Sequence, residues 1–544
     1  MTEKEFNLLE EPWIRVMLPD HEVREVSLTE ALTGAHTFSA LAGELPTQDM
    51  AVLRLLLAVL HTVFYRVGVQ GETAPLQGAD DALDRWELLW HEKRFPEAPL
   101  RAYLTAWRER FYLFHPERPF YQVPEAARGT EFTAAKLNGE ISESSNKVRL
   151  FPVRTGADRS RLSYGEAARW LLHLNGFDDM AGKPKGKGLP SPGVGWLGKL
   201  GMIAAQGDNL FETLMLNLVL LNRKVLWGEP RPVWELAQSR SRERCKIPLP
   251  DNQAELLTLQ SRRLLLLREG EAVTGYRLLG GDFFDEKNAY VEQMTQWMHI
   301  RGKRNQPGYD QPRWHDPARQ IWREFSTIVP TDDNGAREND PPMPGVVRWL
   351  GVLQSEEILP EERIARFAVA GTQFGGTQNS YVTDTYSDGL SFHLGLLNSA
   401  GWSWRHILED ELAQVNRVAD TVKLLGINLN KAAGGTGEAF GKELKEQFYA
   451  RMDLVFRAFL ASVDPADDTQ TKLDRLSGWH KQEKHIALAL GREAVERCGP
   501  EAFVGRTVKK EIKGREETRH YSAPEAYNWF MTGMRREFKE GVEA

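Results

Sequence analysis

The chain has 544 residues, 41% of them hydrophobic and 10% aromatic, which predicts two or three well-packed domains and excludes a disordered protein. The formal net charge of −7 excludes a uniformly basic protein that coats nucleic acid, although a local basic patch can still bind it. The 2 cysteines exclude a four-thiolate zinc site and a disulfide framework, so a reducing, cytoplasmic location is expected.

The first third of the chain predicts several helices and a small sheet. Apolar and polar residues alternate on both sides of a turn at 18–22, which predicts an N-terminal hairpin. Ser27 and Glu30 have the spacing of a capping box, and this predicts a helix that carries Leu28. Residues 80–110 predict two further helices.

One long apolar segment, from Gln48 to Val67, has the pattern of a buried helix. Its strongly apolar part, 51–60, is interrupted by Arg54 and is shorter than the roughly 20 residues that a membrane helix needs. The N-terminal residues lack the apolar stretch of a secretory signal. We therefore expect a cytoplasmic protein that does not contact a membrane.

Two neighbouring stretches predict loops of different kinds. Residues 111–122, FYLFHPERPFYQ, place aromatic residues around two prolines and predict a core-facing loop. Residues 130–149 become polar and predict a long exposed loop. That loop is either a disordered connector or a polar finger that contacts RNA, DNA or a protein partner.

The stretch from Ala181 to Gly201 follows a helix predicted at 164–174 and precedes an apolar helix predicted at 210–221. It contains no acidic residue, and its glycines leave backbone N–H groups open to close approach. Its lysines are Lys183, Lys185, Lys187 and Lys199. This composition is typical of a polyanion-binding segment and equally of a flexible surface loop.

Two later stretches complete a mixed α+β body. Residues 257–273 predict two short strands around a Glu-Gly turn. Residues 299–323 contain six Arg or Lys and two Asp, with Trp314 and Trp322 interleaved. This mixture suits nucleic-acid binding, and a proline-rich loop that covers a domain surface has the same composition.

The composition changes near Ser399, after which apolar residues recur with helical spacing. Four helices are predicted, at 408–425, 440–459, 472–497 and 523–538, and they form a C-terminal four-helix bundle. We therefore predict an α+β fold: a large, mixed, helix-rich N-terminal domain with small sheets over 1–398, then the bundle over 399–544. The last connection of the bundle is basic and contains Arg506, Lys509, Lys510, Lys513, Arg515 and Arg519.

The chain lacks a convincing catalytic motif. Residues 182–188 and 435–443 approach a phosphate-binding P-loop, but their glycine spacing and their final residues do not fit it. His315 and Asp316 form the dipeptide of metal-dependent phosphohydrolases, without a second metal-ligand motif. The sequence favours binding over catalysis, with no cofactor and no metal, and a phosphohydrolase that uses His315 and Asp316 is the alternative.

Landmarks along the whole chain resemble one family in their order. They are FNLL and EPWI within residues 6–14, PFYQ at 119–122, SPGVGWLGKLG at 191–201, FGGTQNS at 374–380, and the terminal bundle. Together they resemble the CasA-type large subunit of the type I-E CRISPR surveillance complex, Cascade. The resemblance implies a non-catalytic subunit for antiviral defence that reads a short motif, the PAM, in double-stranded DNA beside the sequence that the guide RNA reads.

The resemblance also implies which residues contact the PAM, largely from the minor groove. The glycine loop of the family matches Gly198, Lys199, Leu200 and Gly201, and its wedge falls on Thr377, Gln378 and Asn379, with Gln378 at the tip. The lysine finger of the family falls within residues 271–281, where this chain has no lysine. Arg277 is the nearest cation there, and Lys199 is the other candidate.

Further contacts and partners follow from the same resemblance. Residues 136–148 match a loop that docks the subunit near the 5′ end of the guide RNA, with candidate contacts Asn138, Ser144, Asn146 and Lys147. Lys183, Lys185, Lys187, Lys509, Lys510 and Lys513 are candidate contacts to the nucleic-acid backbone. The implied partners are the crRNA-containing backbone, 5′-end and small subunits, the target duplex and a helicase-nuclease. A helical scaffold that binds only proteins is a third possibility, and it predicts no salt-dependent DNA affinity.

Overall fold

The computed structural model describes residues 4–139, 154–180, 182–183, 186–237, 244–303, 306–331, 342–376, 381–512 and 515–538. The chain divides into two compact units. Unit 1 comprises Met1–Ile321, Asp332–Pro360 and Ala365–Leu390, and unit 2 comprises Trp322–Thr331, Glu361–Ile364 and Ser391–Ala544. Unit 2 therefore also takes two short segments that precede residue 399.

The helices are α1 Leu28–Thr33, α2 Pro46–Arg66, α3 Ala79–His91, α4 Glu97–Ala106, α5 Ala134–Leu137, α6 Tyr164–Phe177, α7 Leu210–Asn217, α8 Gln253–Leu257, α9 Phe325–Ile328, α10 Gly345–Ser355, α11 Trp402–Ala432, α12 Ala439–Ser462, α13 Thr469–Glu496, α14 Pro500–Val504 and α15 Ala523–Glu537. A 3₁₀ helix, Leu197–Lys199, is also relevant below. The mixed fold with a C-terminal helical region confirms the predicted fold class.

The strands are β1 Glu5–Asn7, β2 Ile14–Met17, β3 Val23–Val26, β4 Ala40–Leu41, β5 Tyr112–Phe114, β6 Thr130–Thr133, β7 Met202–Gln206, β8 Leu221–Asn222, β9 Val225–Leu226, β10 Arg262–Glu269, β11 Ala272–Gly280, β12 Trp297–Ile300, β13 Tyr309–Pro312, β14 Ile364–Gly375, β15 Tyr381–His393, β16 Arg506–Ile512 and β17 Arg515–Tyr521. They form small sheets. The three-stranded sheets have the orders β3-β2-β4, β10-β11-β6 and β15-β14-β7.

Helix α2 lies in the core of unit 1. In the described part of the chain it has the length and hydropathy of a membrane span, but 94% of its apolar window is buried inside the protein. The side chains of Arg54 and Glu292 are each 1% exposed and form a bidentate ion pair, with Nη1–Oε1 at 2.8 Å and Nη2–Oε2 at 3.0 Å. The arginine that interrupts the apolar run thus neutralises a carboxylate inside the protein.

Unit 2 is built around four long helices, and α11 packs against α12, α13 and α15. Of the predicted core residues of α12, Leu444, Phe448 and Met452 are buried, whereas Val455 is half-buried and its neighbour Phe456 is buried instead. Trp322 stacks on Phe456 with ring centroids 4.5 Å apart, and its Nε1 donates a hydrogen bond to Asp453. A short segment from before the bundle therefore completes its core.

Several local predictions are confirmed. Strands β2 and β3 form the N-terminal hairpin, and Ser27 and Glu30 form both hydrogen bonds of the capping box. Others are wrong. Residues 130–137 form β6 and α5 instead of a loop, because β6 pairs with β11 in a distant part of the sequence. Helix α7 ends at Asn217, and the basic connection of the bundle is a hairpin, β16–β17.

Candidate nucleic-acid interface

The glycine loop, Gly198–Gly201, starts within the 3₁₀ helix and leads directly into β7. Trp196, just before the loop, is 5% exposed, and its indole Nε1 donates a 2.9 Å hydrogen bond to Glu292. Because Glu292 is itself held by Arg54, the position of the loop depends on a buried ion pair. Buried hydrogen bonds and ion pairs of this kind hold a backbone in one arrangement.

Strand β14 runs antiparallel to β7 with Met202 opposite Ala370, and it continues past the start of β7. The strand pairing ends at Met202, because residues 197–199 form the 3₁₀ helix. A Cβ on Gly198 would lie 3.0 Å from Cζ of Phe374, so the two residues are in direct contact. The sheet thus brings the glycine loop to the end of β14 that leads into the predicted wedge.

The wedge residues Thr377, Gln378 and Asn379 lie outside the described residues. The strands on either side of them, β14 and β15, are neighbours in the sheet. Trp314 lies close to this end of the hairpin, with its ring centroid 6.4 Å from that of Phe374, and it is 47% exposed. Part of the basic and aromatic stretch predicted at 299–323 therefore adjoins the glycine loop.

The two glycines of the loop face protein atoms. A Cβ on Gly201 would lie 2.1 Å from the carbonyl oxygen of Arg313, which is too close for any side chain. Leu200 is 2% exposed, so its side chain belongs to the core. Glycine is needed at 201 for close approach within the protein, and the part of the loop that reaches the surface is Lys199.

The predicted cations beside the loop differ in their partners. Lys199 lies 2.6 Å from Glu286, and both side chains are about one-third exposed, at 33% and 39%. Arg277, on β11, forms two hydrogen bonds with Glu131, at 3.1 and 2.9 Å, and donates to the carbonyl of Ala127. Arg244 lines a cleft together with Lys199 and the backbone of 190–194.

Lys183 is not a surface cation, which corrects its prediction as a contact to the nucleic-acid backbone. Its side chain is 0% exposed, and Nζ lies 2.9 Å from Asp178 and 3.3 Å from Asp179. Burial opposes the charge on Asp178, but Lys183 and Arg262 outweigh this effect and lower its pKa. Lys183 therefore anchors the start of the lysine-rich stretch to the end of α6.

The remaining predicted contacts are scattered in the structure. Lys187 is exposed, whereas Asn138 is 7% exposed and donates a hydrogen bond to the carbonyl of Arg159. Lys509 is exposed on β16, and Lys510 belongs to the same strand. The residues that lie outside the described part of the chain are Ser144, Asn146, Lys147, Lys185 and Lys513.

The dipeptide of the phosphohydrolase alternative does not form a metal site in this geometry. Nε2 of His315 lies 2.9 Å from the carbonyl oxygen of Met202, so this nitrogen carries the proton and donates. Burial lowers the pKa of His315 to about 4, which keeps the ring neutral. Asp316 accepts a hydrogen bond from the backbone of Ala318. Within the described ranges no three His, Cys, Asp or Glu residues cluster as metal ligands.

Sequence reasoning missed Phe374, Trp314 and Arg244 as members of this region. In the sequence Phe374 stands only as the first letter of a motif, and Trp314 only as one aromatic residue in a basic stretch. Arg244 follows a polar stretch, and no local pattern distinguishes it. The contacts that make these residues relevant join segments far apart in the chain, and a single sequence does not reveal them.

Comparisons with known proteins show the family of the chain. A family model described as CRISPR-associated protein Cse1 matches residues 7–490. A curated relative, CRISPR-associated protein CasA/Cse1 of Thermus thermophilus, is 35% identical over 332 residues. That alignment covers 60% of this chain, which spans 61% of the length of the relative.

Solved structures match over nearly the full length. The crystal structure of Thermobifida fusca Cse1 has a TM-score of 0.81 and 27% identity, and the match covers 99% of each chain. A chain of a CRISPR RNA-guided surveillance complex has a TM-score of 0.63 at 17% identity, and the match covers 98% of this chain and 100% of that one. The second likeness is one of fold alone.

Proposed function

The chain belongs to the CRISPR-associated Cse1 (CasA) family, and from this membership we propose that it is the large, non-catalytic subunit of an RNA-guided surveillance complex in antiviral defence. In this proposal the glycine loop and the β14–β15 hairpin recognise the PAM in double-stranded DNA. Duplex opening and R-loop formation then start beside Gln378. The helicase-nuclease is recruited to the subunit after the guide RNA has paired.

The observation that carries the proposal is the contact between Gly198 and Phe374. It joins two segments, 198–201 and 374–380, that are far apart in the chain and that each resemble a DNA-contacting element. Phe374 contacts the loop, so a displacement of the end of β14 should displace the loop, and a displacement of the loop should displace the end of β14. Two elements that must engage one short DNA motif together need such a rigid connection.

The chemistry of the minor groove suits this arrangement. Its base edges present a degenerate pattern, so a loop that senses shape and backbone position reads it tolerantly. A side chain pushed between base pairs costs a few kcal/mol of unstacking for each step. Guide pairing offsets that cost once the first bases have separated, so a polar wedge at the PAM boundary favours opening in one direction.

The test uses the assembled complex and duplexes with and without a PAM. We expect Gly198→Asp to weaken PAM-dependent binding by at least about tenfold, because the new side chain at this buried position collides with Phe374 and displaces the loop. Gln378→Ala should slow duplex opening, measured by the fluorescence of 2-aminopurine at the first protospacer position. Assembly of the complex should remain intact in both variants.

Matched controls use the same changes elsewhere in unit 1. Gly78 precedes α3, and a Cβ there meets no atom within 4 Å, so Gly78→Asp adds the same charge without a clash. Gln70→Ala removes an exposed glutamine. Unchanged PAM-dependent binding in both Gly198→Asp and Gln378→Ala would contradict the proposal, and salt-independent binding throughout would favour the protein scaffold.

The proposed partners are the crRNA-containing subunits and the helicase-nuclease, and the proposed location is the cytoplasm. The fold shared with a chain of a surveillance complex supports the assembly part of this proposal. Reconstitution tests it: omitting this chain should abolish PAM-dependent degradation of the duplex by the helicase-nuclease while leaving guide binding by the other subunits intact. Degradation without the chain would contradict the recruitment role.

A further inference from the structure

A cleft of about 220 Å³ opens beside the glycine loop in unit 1. Residues 190–194 form one part of its lining, and Phe283 and Phe284 form another. Two cationic side chains that are not buried, Lys199 and Arg244, line the same cleft. The cleft therefore combines positive charge with apolar walls, and such walls strengthen electrostatic attraction to an anion.

Arg244 is held in place without losing its charge. Its guanidinium lies 4.0 Å from the ring centroid of Phe283 and donates to the carbonyl of Pro190. Among the residues that the structure describes, no carboxylate lies within ion-pair distance of Arg244. Burial lowers the pKa of Arg244, and so does the nearby charge of Arg262.

The other charged groups of the cleft are neutralised within the protein. Arg262 is 3% exposed and pairs with Asp178, and Arg263 pairs with Asp282. Lys199 shares its charge with Glu286 at 2.6 Å. The charge of the cleft that no described carboxylate balances is thus concentrated on Arg244, and an incoming anion would restore the balance.

We propose that this cleft binds a phosphodiester group of the target duplex, with Arg244 as the main cation and Lys199 as the second. The inference rests on the proposed function, since it requires duplex DNA at the glycine loop. A guanidinium backed by an aromatic ring presents its remaining N–H groups as a planar fork, which matches two phosphate oxygens.

Arg277 is the natural comparison, because it is the arginine that sequence resemblance selected. Its charge is neutralised by Glu131 through two hydrogen bonds, and it is not among the residues that line the cleft. The same change, arginine to alanine, at 244 and at 277 therefore separates a DNA-binding arginine from a paired one. Arg244→Lys keeps the charge but removes the planar fork.

The experiment measures the affinity of the assembled complex for a duplex over a range of salt concentrations. Arg244→Ala should weaken binding about tenfold. It should lower the magnitude of the salt slope by about one. The affinity should fall by the same factor with and without a PAM, because phosphate contacts carry no sequence information. Arg277→Ala should bind as the unmodified complex does, and Arg244→Lys should lose less than Arg244→Ala.

Three outcomes would overturn the inference. An affinity and a salt slope of Arg244→Ala equal to those of the unmodified complex would remove the phosphate contact. A loss of complex assembly in Arg244→Ala, with DNA affinity unchanged in the complexes that form, would identify the anion as a carboxylate of a protein partner. A loss restricted to PAM-containing duplexes would make Arg244 a base reader. If Gly198→Asp and Gln378→Ala weaken binding while Arg244→Ala does not, only this inference fails and the proposed function stands.

Discussion

The glycine-loop region of unit 1 and the helical bundle of unit 2 are stabilised in different ways. The loop is positioned by buried charges, since the side chains of Arg54 and Glu292 are each 1% exposed. In the bundle an ion pair of the same type, Arg451–Glu493, lies at the surface with side chains 36% and 38% exposed, and apolar side chains form the core. The stability of the bundle depends on many small apolar contacts. The position of the loop depends on a few buried contacts, and the loss of any one of them should displace it.

The largest expected effect follows from breaking the buried pair. Arg54→Met leaves the Glu292 carboxylate buried without a counter-charge, which typically costs about 3–5 kcal/mol of folding free energy. The loop should be released at the same time, because Glu292 also orients Trp196. Urea denaturation measures the loss, and hydrogen exchange of residues 194–202 measures the release.

The matched control for that change is Arg451→Met in the bundle. Water and salt screen an exposed pair, so this variant should unfold almost as the unmodified chain does. Equal destabilisation by the two substitutions would show that burial does not distinguish the two regions. It would then remove the comparison on which the role of Arg54 is based.

One buried carboxyl in the bundle sharpens the comparison. Glu483 is 0% exposed, accepts a 3.0 Å hydrogen bond from Gln414, and leaves Oε1 without a hydrogen-bond partner among the described residues. Burial raises the pKa of Glu483 from 4.5 to about 7. The hydrogen bond to Glu411 raises the pKa of the neighbouring His480 as well.

A raised pKa means that the folded state holds a proton that the unfolded chain has already released. The stabilisation from Glu483 is complete below about pH 4.5 and is lost as the pH rises to about 7. Glu483→Gln keeps an acceptor for Gln414 and removes this loss, so at about pH 8 the bundle should be more stable by about 2–3 kcal/mol. The measurement is hydrogen exchange of α13 at two pH values, and an unchanged pH dependence in the variant would contradict the assignment.

Glycine-to-alanine substitutions should have opposite signs in the two regions. In Gly201→Ala the new Cβ meets the carbonyl of Arg313, and overpacking of this kind costs about 1–3 kcal/mol. Gly478, in helix α13, has no atom within 4 Å of the Cβ position, so Gly478→Ala should stabilise the bundle by about 0.5–1 kcal/mol. Thermal denaturation shows whether each variant is more or less stable than the unmodified chain. A loss of stability in both variants would mean that the helix around 478 has no space for a side chain.

The same contrast explains how much the sequence predicts. The bundle was predictable because helical spacing is local: Leu444, Phe448 and Met452 repeat within one helix and are buried. The capping box of Ser27 and Glu30 is local too. The β16–β17 hairpin was missed because its strands are highly charged, and charge runs indicate a solvated connection more often than a strand.

The site was only partly predictable for the opposite reason. The lysine-rich stretch looks uniform in sequence, yet Lys183 is buried against Asp178 while Lys187 is exposed. The sequence does not distinguish Arg277 from Arg244, and only their contacts, with Glu131 and Phe283 respectively, show the difference. Contacts between distant segments decide which charges remain available, so family resemblance suggested the region and the structure was needed to distinguish its cations.

The smallest expected effect concerns the carboxylate that shares the charge of Lys199. Glu286→Gln removes a partly exposed negative group 2.6 Å from the lysine and should strengthen duplex binding about two- to threefold, since such pairs contribute about 0.2–1 kcal/mol. Glu97→Gln is the matched control, because it changes the net charge equally at an exposed pair with Arg101. A similar gain in both variants would assign the effect to net charge, whereas a gain confined to Glu286→Gln, with a steeper salt dependence, places Lys199 against the phosphate backbone. Here the effect is small because Glu286 is solvated and weakly held, unlike the buried partner of Arg54.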